Sequence, residues 1–135
     1  MTPYAPLPAP SLDDFDAIAR TAWAKLPSVF TRMAGDVVFR IEDFAEEEVL
    51  ADLGIEDPFE LTGLYAGVDL TRESVTDPSA LIPMVFLYRR PILDEWADRG
   101  EVTLGDLVAH VLVHEVGHHF GLSDDHMDAI LAGVD

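Results

Sequence analysis

After a Pro-rich start, the chain has apolar residues at helical spacing. Ser11 precedes acidic residues and apolar positions three to four residues apart, which predicts a capped helix that ends before Pro27. A short second helix is predicted over residues 29–33, and Gly35 is placed to close it. The first third of the chain therefore predicts two helices.

The middle of the chain has the pattern of β-strands. Residues 36–42 alternate between apolar and polar side chains, which is typical of a half-buried strand. Residues 61–70 predict a second strand, broken at Gly67. Residues 82–88 are apolar enough to form a strand buried on both faces. Between the first two strands, an acidic run predicts a helix near residues 45–53 with a solvated face.

The last third of the chain predicts three helices after a polar loop over residues 71–79. Their predicted bounds are Pro91 to Gly100, Thr103 to Phe120 and Ser123 to Ala132. Thr103 is the expected N-cap of the longest helix, and Gly121 stops it. The order of helices, strands and helices indicates an α+β fold.

The length of 135 residues indicates one domain over residues 1–135, and no repeat or linker divides it. With 49% hydrophobic residues, the chain has enough apolar material for a core. We expect the Pro-rich residues 1–10 to form a loosely ordered arm. They lack the basic and apolar regions of a signal peptide.

Acidic residues outnumber basic ones by 26 to 8, which gives a net charge of −18. Such a surface repels phosphate backbones and anionic lipids, so we expect neither a nucleic acid nor a membrane partner. No apolar run is long enough to span a bilayer, and we expect a cytoplasmic protein. The chain has no cysteine, so any metal must be held by His, Asp or Glu.

Two histidines four residues apart, His114 and His118, lie within the longest predicted helix. This spacing places both imidazoles on one helix face, where they can bind a single metal ion. Zinc accepts imidazole nitrogens at about 2.0–2.1 Å. Glu115 follows the first histidine and is placed to accept a proton from water at the metal.

A zinc site of this kind needs a third protein ligand. The chain contains no glutamate after the histidine pair, so the candidates are Asp124, Asp125 and His126. Gly121 can turn the chain back toward the histidines, and its spacing favours Asp124, with His126 as the alternative. Asp124 could instead only help to cap the last helix.

Several other polar residues have two interpretations. Tyr88, Arg89 and His119 are candidates to stabilise a developing oxyanion. The alternatives are that Tyr88 packs at the core edge and that Arg89 and Arg90 balance the acidic surface. His110 lies one turn before the histidine pair and is interpreted as a packed residue or a partner of a ligand. His119 points to another helix face.

These residues resemble the zincins, and among them the aspartate-liganded type with the motif HExxHxxGxxD. The sequence is similar to a family of small bacterial zincin-like proteins described as predicted zinc metallopeptidases. The similarity covers residues 36–130 and is specific in residues 64–68, 87–91 and 114–124. It implies a minimal zincin-like fold, with a small mixed sheet beside a long active-site helix. It also implies one Zn²⁺ held by His114, His118 and Asp124, with Glu115 as the catalytic base. Manganese and nickel are the alternative metals for these ligands.

The reaction expected from this resemblance is hydrolysis of a peptide or protein substrate through a metal-activated water. If the strand over residues 82–88 lay at the sheet edge, it could bind an extended peptide by strand addition. A small-molecule metal amidase and a non-catalytic, metal-binding interaction protein are the alternatives. The presence of Glu115 argues against the non-catalytic protein, because a structural metal site does not need a carboxylate beside the metal's open position.

Overall fold

The computed structural model describes residues 9–68 and 82–133. Within these ranges the chain forms six α-helices and a sheet of three β-strands. The helices are α1 (Leu12–Lys25), α2 (Ser28–Ala34), α3 (Glu47–Leu53), α4 (Arg89–Arg99), α5 (Leu104–His119) and α6 (Asp124–Ala132). The strands are β1 (Val38–Glu42), β2 (Gly63–Val68) and β3 (Ile82–Tyr88). The predicted α+β class is confirmed.

The sheet is mixed and has the order β1-β3-β2. Strand β3 runs parallel to β1, with Val38 opposite Met84, and antiparallel to β2, with Gly63 opposite Leu87. Since β3 is paired on both sides, the prediction that it could bind a peptide along a free edge is wrong. Its nearly continuous apolar sequence is best buried at the centre of a sheet.

Strand β2 is continuous through Gly67. This residue lies opposite Pro83, and the ladder extends one pair further, so the predicted break is wrong. The antiparallel partner holds the glycine in extended backbone and keeps it in the ladder. The predicted loop over residues 71–79 and residues 1–8 of the predicted arm lie outside the described residues.

The predicted helix caps are confirmed by hydrogen bonds. Ser11 Oγ accepts from the backbone N–H of Asp14 at 3.1 Å, and the Asp14 carboxylate accepts from the backbone N–H of Ser11 at 2.8 Å. Thr103 Oγ1 accepts from the backbone N–H of Asp106 at 3.1 Å. These side chains satisfy backbone donors that a helix end leaves unpaired, which explains why the boundaries were visible in the sequence.

Helix α5 lies at the centre of the main core, where it packs against α1, α6 and strand β2, while α1 packs on β1 of the same sheet. Its fully buried residues include Val108, Leu112, Val113 and Val116. The opposite face of the sheet carries a smaller cluster, in which Tyr88 is 2% exposed. Packing on so many sides fixes the position of α5, and the histidine pair lies in its last turns.

The start of the described chain is tied to the sheet through one arginine. Arg89 Nε donates to the carbonyl of Pro10 at 2.6 Å, and its Nη1 contacts Asp43 Oδ1 at 3.0 Å. This pairing agrees with the interpretation of Arg89 as a balancing charge.

Among the described helices, none combines the length and apolarity that crossing a bilayer requires.

Candidate metal centre

The two histidines of the motif lie one turn apart in α5. The ring centroids of His114 and His118 are 5.6 Å apart. His114 is half-buried, whereas the side chain of His118 is 63% exposed. The pair therefore reaches from the packed side of the helix to its solvent-exposed side.

The chain reverses direction directly after α5. Gly121 has φ +75°, a left-handed conformation in which a side chain is strained. Its N–H bonds to the carbonyl of His118 at 3.1 Å, and the N–H of Leu122 bonds to the carbonyl of Gly117 at 2.9 Å. These two bonds form a Schellman motif, which satisfies the last carbonyls of the helix. The predicted role of Gly121 as the turning point is confirmed.

Helix α6 begins at once and brings the third candidate ligand back to the histidines. Ser123 Oγ accepts from the backbone N–H of His126 at 3.1 Å, which caps the helix. Asp124 is the first residue of α6, and its Oδ1 lies 3.9 Å from Nε2 of His118. The capping bond is made by Ser123, so the Asp124 carboxylate is left free to bind a metal.

One ligand atom from each of His114, His118 and Asp124 lies within 4.8 Å of the others. Ligands of a tetrahedral zinc ion lie about 3.4 Å apart, as follows from bonds of about 2.1 Å. The three atoms are therefore at most about 1.4 Å further apart than the ligands of a bound zinc ion would be. Among the described residues, no other set of three His, Asp or Glu side chains brings its ligand atoms this close together.

An unpaired nitrogen supports the same fit. Nε2 of His114 is buried and has no hydrogen-bond partner within the described part of the chain. A buried polar atom without a partner is costly, and a bound ion or water molecule is one way in which native proteins supply the partner. A neutral imidazole nitrogen can donate its lone pair to a metal ion, so His114 fits a metal site formed with His118 and Asp124.

The predicted catalytic base lies at the contact between α5 and β2. Glu115 is half-buried, and its Cγ lies 3.3 Å from the position that a Cβ atom on Gly63 would take. Burial raises the pKa of the Glu115 carboxyl, while His118 lowers it to a smaller extent. A carboxylate with a raised pKa is a stronger base, which suits proton transfer near neutral pH.

The alternative ligands have other surroundings. Asp125 is exposed and does not belong to the converging group. His126 lines an apolar cavity between α2 and α6, together with Phe30 and Ile130. Both residues lie in the first turn of α6, where the helix turns successive side chains to different sides. The spacing argument for Asp124 therefore agrees with the geometry.

The remaining candidates have structural contacts of their own. His110 stacks on His114, with ring centroids 4.2 Å apart and planes at 20°, as expected of a packed residue beside a ligand. Tyr88 packs with the smaller core cluster. His119 is exposed and packs against Tyr65, with ring centroids 4.5 Å apart. Arg89, as described above, is paired with Asp43.

Two residues at the site were missed in the sequence. Gly63 allows β2 to lie directly on α5 beside Glu115, and Met127 packs against Gly117. A glycine inside a strand or a helix is a weak sequence signal of close backbone approach. Gly117 lies inside a helix, but spacing alone does not identify Met127 as the residue that packs on it.

The family model described as "Zincin-like metallopeptidase" matches residues 34–133, which is most of the chain and includes every residue of the converging group. No curated protein sequence matches the chain.

Proposed function

Because this chain belongs to the zincin-like metallopeptidase family, we propose that it hydrolyses peptide bonds with a zinc ion held by His114, His118 and Asp124. The observation that carries the proposal is the convergence of these three side chains, beside the half-buried carboxylate of Glu115. Two imidazoles and one carboxylate are a donor set that zinc accepts, and three protein ligands leave a position open for water or substrate.

Each residue then has one task. When bound, zinc polarises the scissile carbonyl and lowers the pKa of its water ligand. Glu115 accepts a proton from the attacking water as the oxygen bonds to the carbonyl carbon. It then returns that proton to the amine nitrogen as the carbon–nitrogen bond breaks. The raised pKa of Glu115 supports both transfers, because the carboxyl must be able to take up and release the proton.

The substrate edge in this proposal is β2. Strand β2 pairs with β3 on one side, and within the described residues no strand pairs with its other side. Its first residue, Gly63, lies on α5 beside Glu115. An extended peptide that pairs with β2 would have its backbone held next to the catalytic base.

The exposure of the ligands supports a peptide or protein substrate over a small molecule. The side chains of His118 and Asp124 are 63% and 83% exposed. Small-molecule sites usually enclose most of the ligand surface, whereas this group lies in an open position. We therefore place an amidase acting on a small molecule second to a peptidase.

The experiment compares the purified protein with its Glu115→Gln variant. Zinc content is measured by mass spectrometry, and cleavage of a denatured protein mixture is followed by peptide mapping. We expect equal zinc in both proteins and cleavage products only with the unaltered protein, because the amide cannot take up the proton. Glu101→Gln is the matched control, since Glu101 is exposed and lies in the loop before α5.

The outcomes separate the alternatives. Identical background cleavage by the unaltered protein and Glu115→Gln contradicts the peptidase proposal. Stoichiometric zinc without cleavage supports the non-catalytic metal-binding protein instead. Cleavage lost in the Glu101→Gln control would show that the assay responds to surface charge and not to the base.

A further inference from the structure

A contact between α5 and α6 leaves no room for a side chain on the helix backbone. Gly117 is buried in α5, and a Cβ atom there would lie 2.5 Å from Sδ and 2.9 Å from Cγ of Met127. Met127 is 0% exposed and belongs to the main core, so the surrounding side chains restrict it. Glycine at this position allows α6 to pack directly on the backbone of α5.

Both residues of this contact are close in sequence to ligands. Gly117 precedes His118, and Met127 follows Asp124 by three residues within α6. The connection between the helices is short and held by the two Schellman hydrogen bonds. A change in the distance between α5 and α6 at Met127 therefore also moves Asp124, because the short connection cannot absorb it.

The distances indicate how much movement a methyl group would cause. Ordinary contact between non-bonded heavy atoms is about 3.5–4.0 Å, so the 2.5 Å approach at Gly117 requires a retreat of about 1 Å. Metal–ligand distances tolerate deviations of only about 0.2 Å. A retreat of about 1 Å is several times this tolerance, so α6 need take up only a fraction of it to move Asp124 out of ligand distance.

We propose that the Gly117–Met127 contact positions Asp124 for metal binding. The inference rests on the proposed metal site and goes beyond it, because neither residue supplies a ligand atom. The Met127 side chain sets the distance between α6 and α5, and it packs against the backbone of Gly117. The pair sets the separation between the Asp124 carboxylate and the two imidazoles.

The test measures Zn²⁺ affinity by competition with a chromophoric chelator. We expect Gly117→Ala to weaken Zn²⁺ binding by at least tenfold. The matched control is Gly105→Ala in the same helix, where a Cβ atom would meet nothing within 4 Å. Gly105→Ala should bind Zn²⁺ as the unaltered protein does.

A spectroscopic measurement separates positioning from stability. Co²⁺ substitutes for zinc, and its visible absorption reports the number and geometry of ligands. Gly117→Ala should give the Co²⁺ spectrum of an Asp124→Ala variant, while Gly105→Ala keeps that of the unaltered protein. A purely structural role for Gly117 would lower thermal stability and leave the spectrum of the folded fraction unchanged.

Variants of Met127 examine the contact from its other side. Met127→Ala removes the packed side chain and should weaken Zn²⁺ binding several-fold without a clash. In the double variant Gly117→Ala with Met127→Ala, the new methyl group fills part of the vacated space. Its affinity should exceed that of Gly117→Ala, because the two changes are coupled. Met127→Ala also keeps the inference testable if Gly117→Ala does not fold.

Three results would overturn the inference. One is Zn²⁺ affinity in Gly117→Ala equal to that of the unaltered protein. This would mean that Met127 adopts another rotamer and α6 stays in place. Another is undiminished affinity in Met127→Ala. The third is a double variant that binds no more tightly than Gly117→Ala. Absence of zinc binding by the unaltered protein is a different failure, since it overturns the proposed function and the inference together.

Discussion

Gly63 of β2 lies so close to Glu115 of α5 that a Cβ atom on the glycine would be 3.3 Å from Cγ of the glutamate. The same atom would be 2.8 Å from Cγ1 of Val111. The proposed catalytic base is thus held between its own helix and the strand that we propose as the substrate edge. A strand with a side chain at this position could not approach the helix as closely.

Substitution of Gly63 should therefore affect catalysis through geometry. In Gly63→Ala, the methyl group pushes β2 away from α5 and changes the placement of Glu115. We expect peptide cleavage to fall by roughly ten- to a hundredfold, since a displacement of about 1 Å can cost a hundredfold. The free energy of unfolding should fall by about 1–3 kcal/mol, as is usual for overpacking.

A second substitution checks this explanation. Val111→Ala removes the atom nearest to the new methyl group. Cleavage rates measured for Gly63→Ala, Val111→Ala and the double variant should show partial recovery in the double variant. Equal loss in the double variant and in Gly63→Ala would mean that the clash with Val111 is not the cause.

Gly121 should be sensitive to substitution because of its backbone conformation. At φ +75° an alanine is strained, so Gly121→Ala should lower the free energy of unfolding by about 1–2 kcal/mol. Gly121→Asn should lose less, because asparagine tolerates this region better. Urea denaturation measures both. Gly133→Ala is the control, since Gly133 has φ −83° and should change stability little. A similar loss at Gly133 would contradict an effect of positive φ.

Local signals explain what could be predicted from the sequence. The caps at Ser11, Thr103 and Ser123 and the turn at Gly121 depend on hydrogen bonds between residues three or five positions apart. Such bonds need no knowledge of the rest of the fold. The convergence of His114, His118 and Asp124 was predictable for the same reason, because one helix, one turn and the start of the next helix contain them all.

Non-local packing explains what could not be predicted. The order of strands depends on the pairing of β1 with β3, whose paired residues lie more than forty positions apart. Apolar patterning alone did not show that β3 lies between β1 and β2. The contact of Gly63 with Glu115 likewise joins residues far apart in the sequence. The break predicted at Gly67 failed because a paired partner strand overrides the weak preference of a single glycine.

Tyr88 should make the stability of the protein sensitive to alkaline pH. Burial, followed by the negative charges of Glu42, Glu46 and Glu115, raises the pKa of Tyr88 to about 12. The unfolded chain ionises this phenol near pH 10, so the stabilisation is complete below pH 10 and is lost as pH rises through 12. The loss is on the order of 3 kcal/mol.

Tyr88→Phe removes this titration. Between pH 10 and 12, the unaltered protein should therefore lose more unfolding free energy than Tyr88→Phe in urea denaturation. Between pH 7 and 9 the difference between the two proteins should stay constant, which serves as the internal control. Parallel curves up to pH 12 would mean that Tyr88 ionises as readily in the folded protein as in the unfolded chain.

The third metal ligand can be identified by comparing neighbouring residues at the start of α6. Asp124→Ala should weaken Zn²⁺ binding by more than about a hundredfold, since loss of a hydrogen-bond partner of a ligand alone costs about ten- to a hundredfold. Asp125→Ala and His126→Ala should stay within about threefold of the unaltered protein, because neither belongs to the converging group. Chelator competition measures all three, and Ser123 still caps the helix in each variant. A larger loss in His126→Ala than in Asp124→Ala would assign the ligand to the histidine.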